Sequence, residues 1–142
     1  MTRFSGPDES PGFLLWRVTL AWQRAMRAAL APHDLTHVQF VLLASLWWLE
    51  NHSGAPSQQR LAEHAGTDPM MTSQVLRKLA DRSLVSRSVD PADSRARLLS
   101  LTSGGKALVA KAMKDVEDAD QAYFAGLGGE RREFLRSLTR LL

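Results

Sequence analysis

The sequence predicts a mainly α fold that carries one small β-hairpin, an α+β arrangement, on three observations. Apolar residues return at three- and four-residue steps through most of the chain, the spacing of helices that bury one face. Strand composition is confined to Leu84–Val89 and Arg95–Leu101, on either side of the turn-forming run Asp90-Pro91-Ala92-Asp93-Ser94. Between Ser57 and Leu101 the order is a short helix, a glycine-containing break, a longer helix and then that hairpin.

The totals agree with one folded unit. With 142 residues, 44% hydrophobic and 23% charged, the chain is long enough to bury about two-thirds of its unfolded surface, and a single domain over 1–142 is expected. It has no cysteine, which excludes disulfides, cysteine-bound zinc and thiol redox sensing. No run of about 18 apolar residues occurs and no basic-then-apolar leader opens the chain, so a soluble, cytoplasmic protein without a membrane partner is expected. The net charge of +3 is modest, and its excess lies mainly in residues 57–101, which hold seven basic and five acidic side chains. Such a balance does not by itself mark a nucleic-acid binder, because attraction to phosphates requires basic groups gathered on one face.

Residues 1–9 are polar and Gly/Pro-containing and read as a loose tail. Ser10-Pro11 opens a helix to about Leu30, with Leu14, Val18, Ala21, Ala25 and Ala28 on one stripe and Phe13, Trp16 and Leu20 beside it. Arg17, Arg24 and Arg27 share a further face, read as solvated or intersubunit. Pro32 ends the helix. Thr36 and Gln39 have the spacing of a capping box, and Leu35 with Phe40 that of a hydrophobic staple. From Val38 to Leu49 nearly every residue is apolar, Trp47 and Trp48 included, which predicts a central helix buried on most of its circumference, broken from Asn51 to Pro56.

Ser57 then caps a short helix with Leu61, Ala62 and Ala65 on its apolar face, and Gly66-Thr67 make the break. Asp68 caps the next helix and Pro69 fits its first position, where no amide hydrogen bond is lost. Around this helix Met71, Thr72, Val75, Leu76 and Leu79 share a packing arc, while Met70, Ser73, Gln74, Arg77, Lys78 and Asp81 face the other way. A free face that is short-chained and polar at its start and basic further on suits a helix offering its first turns to base edges in a major groove. The hairpin that follows projects Arg95 and Arg97 near its tip, where an arginine can enter a narrow minor groove, with Asp93 placed to direct Arg95. Beyond it, Thr102 caps a helix to about Phe124; Gly126-Leu127-Gly128-Gly129 breaks the chain, and Glu130–Leu142 forms an amphipathic last helix with Phe134, Leu135, Leu138 and Leu141 on one side. An apolar terminal helix needs a cover, and the two chain ends together predict a two-fold homodimer.

The residues Leu35-Thr-His-Val-Gln-Phe40, Leu61-Ala62, Thr67 through Leu79, Leu84-Val-Ser-Arg87, Asp90-Pro91, Asp93-Ser-Arg95 and Leu101-Thr-Ser-Gly-Gly105 resemble the MarR (multiple antibiotic resistance regulator) family over essentially the whole chain. That resemblance implies a winged helix-turn-helix with dimerisation helices over 10–32 and 103–142 and a DNA-binding region over 35–101. It implies a sequence-specific regulator of transcription, a homodimeric repressor at a palindromic operator, released by a small aromatic or phenolic effector. It maps the recognition positions to Met70 through Lys78 and the minor-groove arginine to Arg95. With these, the expected DNA-facing set is Ser57, Gln58, Asp68, Met70, Thr72, Ser73, Gln74, Arg77, Lys78, Arg87, Arg95 and Arg97. Two departures stand out: Ser83 takes the place of a glycine that ends the recognition helix, at steric cost, and Ser94 replaces an arginine common on the wing.

For the effector, Trp16, His37 and Trp47, with Trp48 nearby, are the expected lining of a cleft between the dimer region and the DNA module. His33 and His37 stand four apart but across a helix boundary, so no metal and no cofactor is expected. No nucleophile elbow, phosphate-cradling loop or metalloprotease spacing occurs, and an enzyme is not expected. The rival reading is an architectural or protein-binding winged helix without sequence preference.

Overall fold

The computed structural model describes residues 1–142. Six helices and one hairpin follow in order: α1 Pro11–Leu30, α2 His37–Ser53, α3 Gln58–Ala65, α4 Pro69–Asp81, β1 Val85–Asp90, β2 Asp93–Leu101, α5 Ser103–Phe124 and α6 Arg131–Arg140. The expected α+β class holds. Short 3-10 turns occupy Pro7–Glu9, within the expected loose tail, and Ala31–His33 and Ala125–Glu130 at the two glycine or proline breaks. No helix is long and apolar enough to cross a membrane.

Local chemistry sets the helix starts. Ser10, Thr36, Ser57, Asp68 and Thr102 each accept a hydrogen bond from the amide three residues on, relieving one of the free N–H groups of a first turn. The Thr36/Gln39 box closes in both directions. Three helix ends close through a left-handed residue: Asp34 (φ 52°), Gly66 (φ 72°) and Ser83 (φ 58°), each followed by an amide that reaches five residues back. Glycine takes that conformation freely; Asp34 and Ser83 take it at a steric cost.

Leu42, Leu43, Leu46 and Leu49 of α2 are wholly buried, with Phe40 nearly so, and Leu61, Leu76, Leu79, Leu99 and Val109 close around them. The core therefore lies inside the Ser57–Leu101 module and its α2 beam. The expectation that α2 is buried on most of its circumference from Val38 to Leu49 is corrected at Trp47 and Trp48. Trp47 and Trp48 are 41% and 43% exposed, Trp48 stacking on His52 at 4.0 Å and on His64 at 5.3 Å. Trp48 falls on the arc away from Leu42, Leu46 and Leu49, where only His52 and His64 stack against it. The helix also runs past the expected break, to Ser53, where Ser53 Oγ and Asn51 Nδ2 donate back to carbonyls one turn earlier.

The strands are antiparallel, with Val85 opposite Leu101 and Asp90 opposite Asp93, so the loop is only Pro91-Ala92 rather than the five residues expected. A bulge at Val89/Asp90 adjusts the register. The hairpin base is fixed to the rest of the fold by Leu99 N donating to Pro56 O at 2.8 Å and Leu101 N donating to Glu50 Oε1 at 2.5 Å.

Candidate nucleic-acid interface

The helix-turn-helix is built from α3 and α4, joined by Gly66 and Thr67, where the left-handed Gly66 ends α3 and lets α4 start in a new direction with one face against α2. One face of α4 packs through Leu76 and Leu79, both fully buried. Met70, Gln74, Arg77 and Lys78 are exposed on the other, and Ser73 is half-buried at its edge. None of the protein's ion pairs uses Arg77, Lys78 or Arg87, so these cations are not neutralised by a neighbouring carboxylate. Free cations beside a helix start that presents short polar side chains form the surface a phosphate backbone attracts.

Thr72 is the clear correction on this helix. It is wholly buried, its hydroxyl donating to Asp68 O at 2.7 Å with Thr67 Oγ1 also at 2.7 Å, so it braces the turn and cannot reach DNA. The packing arc named it; the family mapping of Met70 through Lys78 did not separate it out. Ser57 and Asp68 serve as caps, their side-chain oxygens engaged by Arg60 N at 3.1 Å and Met71 N at 2.9 Å. Gln58 is half-buried beside the Ser57 cap, whereas Arg60, exposed and one turn into α3, is a basic group on the same side that sequence reasoning passed over.

On the wing, Asp93 Oδ1 accepts from Arg95 N at 3.0 Å and stands 3.6 Å from Arg95 Nε, the pairing that the sequence suggested. The Arg95 side chain is otherwise bare to solvent, and an exposed pair of this kind is worth little as stability, ~0–1 kcal/mol, so its effect is to aim the guanidinium. Arg97 folds back instead, Nη1 donating to Ser94 O and Ala96 O at 3.2 Å, which stiffens the wing tip.

The aromatic residues expected to line an effector cleft do not converge. Trp16 is 61% exposed on α1 and Trp47 lies on the surface of α2. His37 sits half-buried at the start of α2 with its ring edge-on to Trp22 at 5.0 Å, and Trp22 Nε1 donates to Asp120 Oδ1 at 2.7 Å. Burial first, and the Arg27 guanidinium second, hold the His37 imidazole below its ordinary range. Trp22 is the residue the sequence reading missed; only the crossing of α1 over α2 and α5 brings it to His37. His33, the other half of the four-residue spacing, turns to Asp115 of α5 at 2.6 Å. A cavity of ≈ 340 Å³ between α1, α5 and α6 is lined by Leu15, Val18, Trp22, Phe124, Phe134 and Leu138 among others, with Asp120 and Arg131 at its polar positions.

Against known proteins, the model of the MarR family matches residues 35–96. A Bacillus subtilis protein described as the uncharacterized HTH-type transcriptional regulator YdcH is 46% identical over 99% of this chain and 95% of its own. Among solved structures, Bordetella bronchiseptica BpsR, described with regulation of its DNA binding by 6-hydroxynicotinic acid, superposes with a TM-score of 0.84 at 31% identity, covering 99% of this chain and 95% of that one. CouR of Rhodococcus jostii, a transcriptional repressor solved on a 23-mer DNA duplex, does so with 0.84 at 27% identity over 99% and 97%.

Proposed function

This chain belongs to the MarR family of DNA-binding transcriptional regulators, and from that premise we propose that it acts as a homodimeric repressor at a palindromic operator. The observation that carries the reading is the pairing of two exposed basic elements: the unneutralised Arg77 and Lys78 on α4, and Arg95 held out by Asp93 on the wing. In this reading α4 lies in a major groove, where Gln74 and Arg77 meet base edges and Lys78 and Arg87 meet phosphates, while Arg95 enters the neighbouring minor groove. Residues 35–101 form the DNA-binding region. Residues 10–32 and 103–142 form the dimer scaffold, because α1 and α6 leave Phe13, Leu15, Trp16, Leu135, Leu138 and Leu141 exposed, an apolar surface that a second copy covers.

For the effector, we favour a small aromatic acid beside Trp22 and His37, where an aromatic face, a half-buried imidazole and the Arg27 guanidinium that acts on it lie together. Selection of bound fragments from random duplex DNA tests the proposal. An enriched palindrome with half-sites about one helical turn apart supports a dimeric operator binder. Retention of DNA with no enriched motif overturns it in favour of an architectural winged helix.

A further inference from the structure

The only two non-glycine residues in a left-handed conformation, Asp34 and Ser83, belong to one contact network, linked through Arg82. Strain of this kind persists only where surroundings over-determine it, and it gathers at switch regions. His33 Nε2 meets Asp115 Oδ2 of α5 at 2.6 Å, with the His33 side chain only 12% exposed, so the corner between α1 and α2 is pinned to the middle of α5. The next residue, Asp34, turns left-handed and offers its carbonyl to Arg82 Nη1 at 2.8 Å, just beyond the last turn of α4. Arg82 leads directly into Ser83, whose carbonyl accepts from Thr102 Oγ1 at 2.6 Å, back at the first turn of α5. The contacts form a ring: α5, the α1–α2 corner, the end of α4, and α5 again.

We propose that His33 and Arg82 are positioning residues, a polar relay through which α5 sets where the recognition helix lies. Resting on the reading that α4 enters a major groove, it adds how the scaffold communicates with that helix. Each end of α4 is then fixed by different means. Its start is held by Asp68 and Thr72 within the helix-turn-helix, and its end is held by Arg82 and Ser83 against elements of the scaffold. A shift of α5 along α1 moves Asp115, and with it the corner that Arg82 grips, so the helix swings about its capped start. The side chain of Arg82 acts through the Asp34 carbonyl and not through DNA.

The test uses the full-length protein and the duplex recovered by fragment selection. Operator affinity, its salt dependence and thermal unfolding are measured for wild type, His33→Ala, Arg82→Ala, Arg82→Lys and the double alanine variant. Each alanine variant is expected to lose about tenfold in affinity, within the span usual for coupling between sites. The double variant loses no more than the weaker single, because both cut one relay although the two side chains share no hydrogen bond. Arg82→Lys, which keeps one donor for the Asp34 carbonyl, recovers most of the loss, and the salt slope stays as in wild type. Losses that multiply to about a hundredfold, or a salt slope lowered by ~1 in Arg82→Ala as for a broken phosphate contact, overturn the relay. If His33→Ala does not fold, Asp115→Asn combined with Arg82→Ala serves the same cycle with the same two outcomes. A wild-type protein that retains no duplex overturns the groove reading and the relay with it, whereas specific binding with multiplicative losses overturns the relay alone.

Discussion

Two adjacent glycines in the first turn of α5 are expected to respond in opposite directions to the same substitution. A methyl group added at Gly105 would lie well inside van der Waals contact of the Leu84 carbonyl oxygen and 3.1 Å from its carbon. That oxygen already accepts from Thr102 N at 3.1 Å, and the Thr102 hydroxyl holds the neighbouring Ser83 carbonyl, so the backbone leading into β1 is held from two sides. Gly105→Ala therefore forces α5 away from the hairpin. Overpacking of a tight site costs ~1–3 kcal/mol and a strained or lost hydrogen bond ~1 kcal/mol, offset by ~0.5–1 kcal/mol from alanine's helix propensity. The net loss is ~2 kcal/mol, a fall in Tm of about 8 °C for a chain of this length. At Gly104 the same methyl meets Thr102 Oγ1 at 3.7 Å and Ser83 O at 3.9 Å, ordinary contact, so Gly104→Ala is expected to raise stability by ~0.5–1 kcal/mol. Thermal unfolding followed by far-ultraviolet circular dichroism, at one fixed protomer concentration, compares the pair. Equal midpoints for the two variants would refute the claim that this joint is closed by backbone against backbone.

Ser83→Gly removes the cost of a left-handed serine at the end of α4 and is expected to stabilise by ~1 kcal/mol, read as a higher midpoint in urea with unchanged slope; a lower midpoint means that the serine side chain matters more than its backbone. Arg95→Ala should weaken operator binding while sedimentation shows an unchanged oligomer, and unaltered affinity would remove the wing from the mechanism. Because His37 is held below its ordinary range, the unfolded chain binds its proton more readily than the folded one. Stability from this group is therefore complete above the unfolded value of about 6.5 and is lost as pH falls through the lower folded one. His37→Gln should show a shallower drop in Tm than wild type on acidification across this window, and parallel curves would contradict the burial argument.

The parts of the fold that were legible in the sequence are those whose causes are local. Five of the six helix starts were readable because the capping side chain and the amide it satisfies lie three residues apart, as at Thr36 and Gln39 or Asp68 and Met71; α6 has no such cap. The hairpin was legible from composition, but its loop length was not. Pairing of Asp90 with Asp93 depends on a bulge that no residue type announces. For α2, an apolar character on all sides left the buried arc undetermined, and Trp47 and Trp48 came out on the surface. Thr72 was ambiguous for a different reason: a hydroxyl can face DNA or be satisfied internally by the carbonyl one turn back, and only the position of Thr67 decides. The outward residues of α4 followed from periodicity, whereas the meeting of Trp22 with His37 requires knowing how two helices cross.

The distribution of burial between module and scaffold has a mechanical consequence. Most of the wholly buried side chains belong to α2, α3, α4 and the hairpin, while α1 contributes Met26 and Leu30, both near its end, α5 contributes Val109 and Ala112, and α6 contributes none. The core is thus centred on the module and shared with the end of α1 and the first half of α5, whereas α6 and the start of α1 leave their apolar faces open. In the proposed homodimer a partner copy completes their burial, so the angle between α1, α5 and α6 would belong to the pair rather than to the single chain. Since the α1–α2 corner and the first turn of α5 are also where the end of α4 is held, the separation of two α4 helices in the proposed dimer would be set by the least self-sufficient part of each subunit. Any ligand that wedges between α1 and α5 acts first on that joint, by way of the Trp22–Asp120 and His33–Asp115 contacts, and only through it on α4.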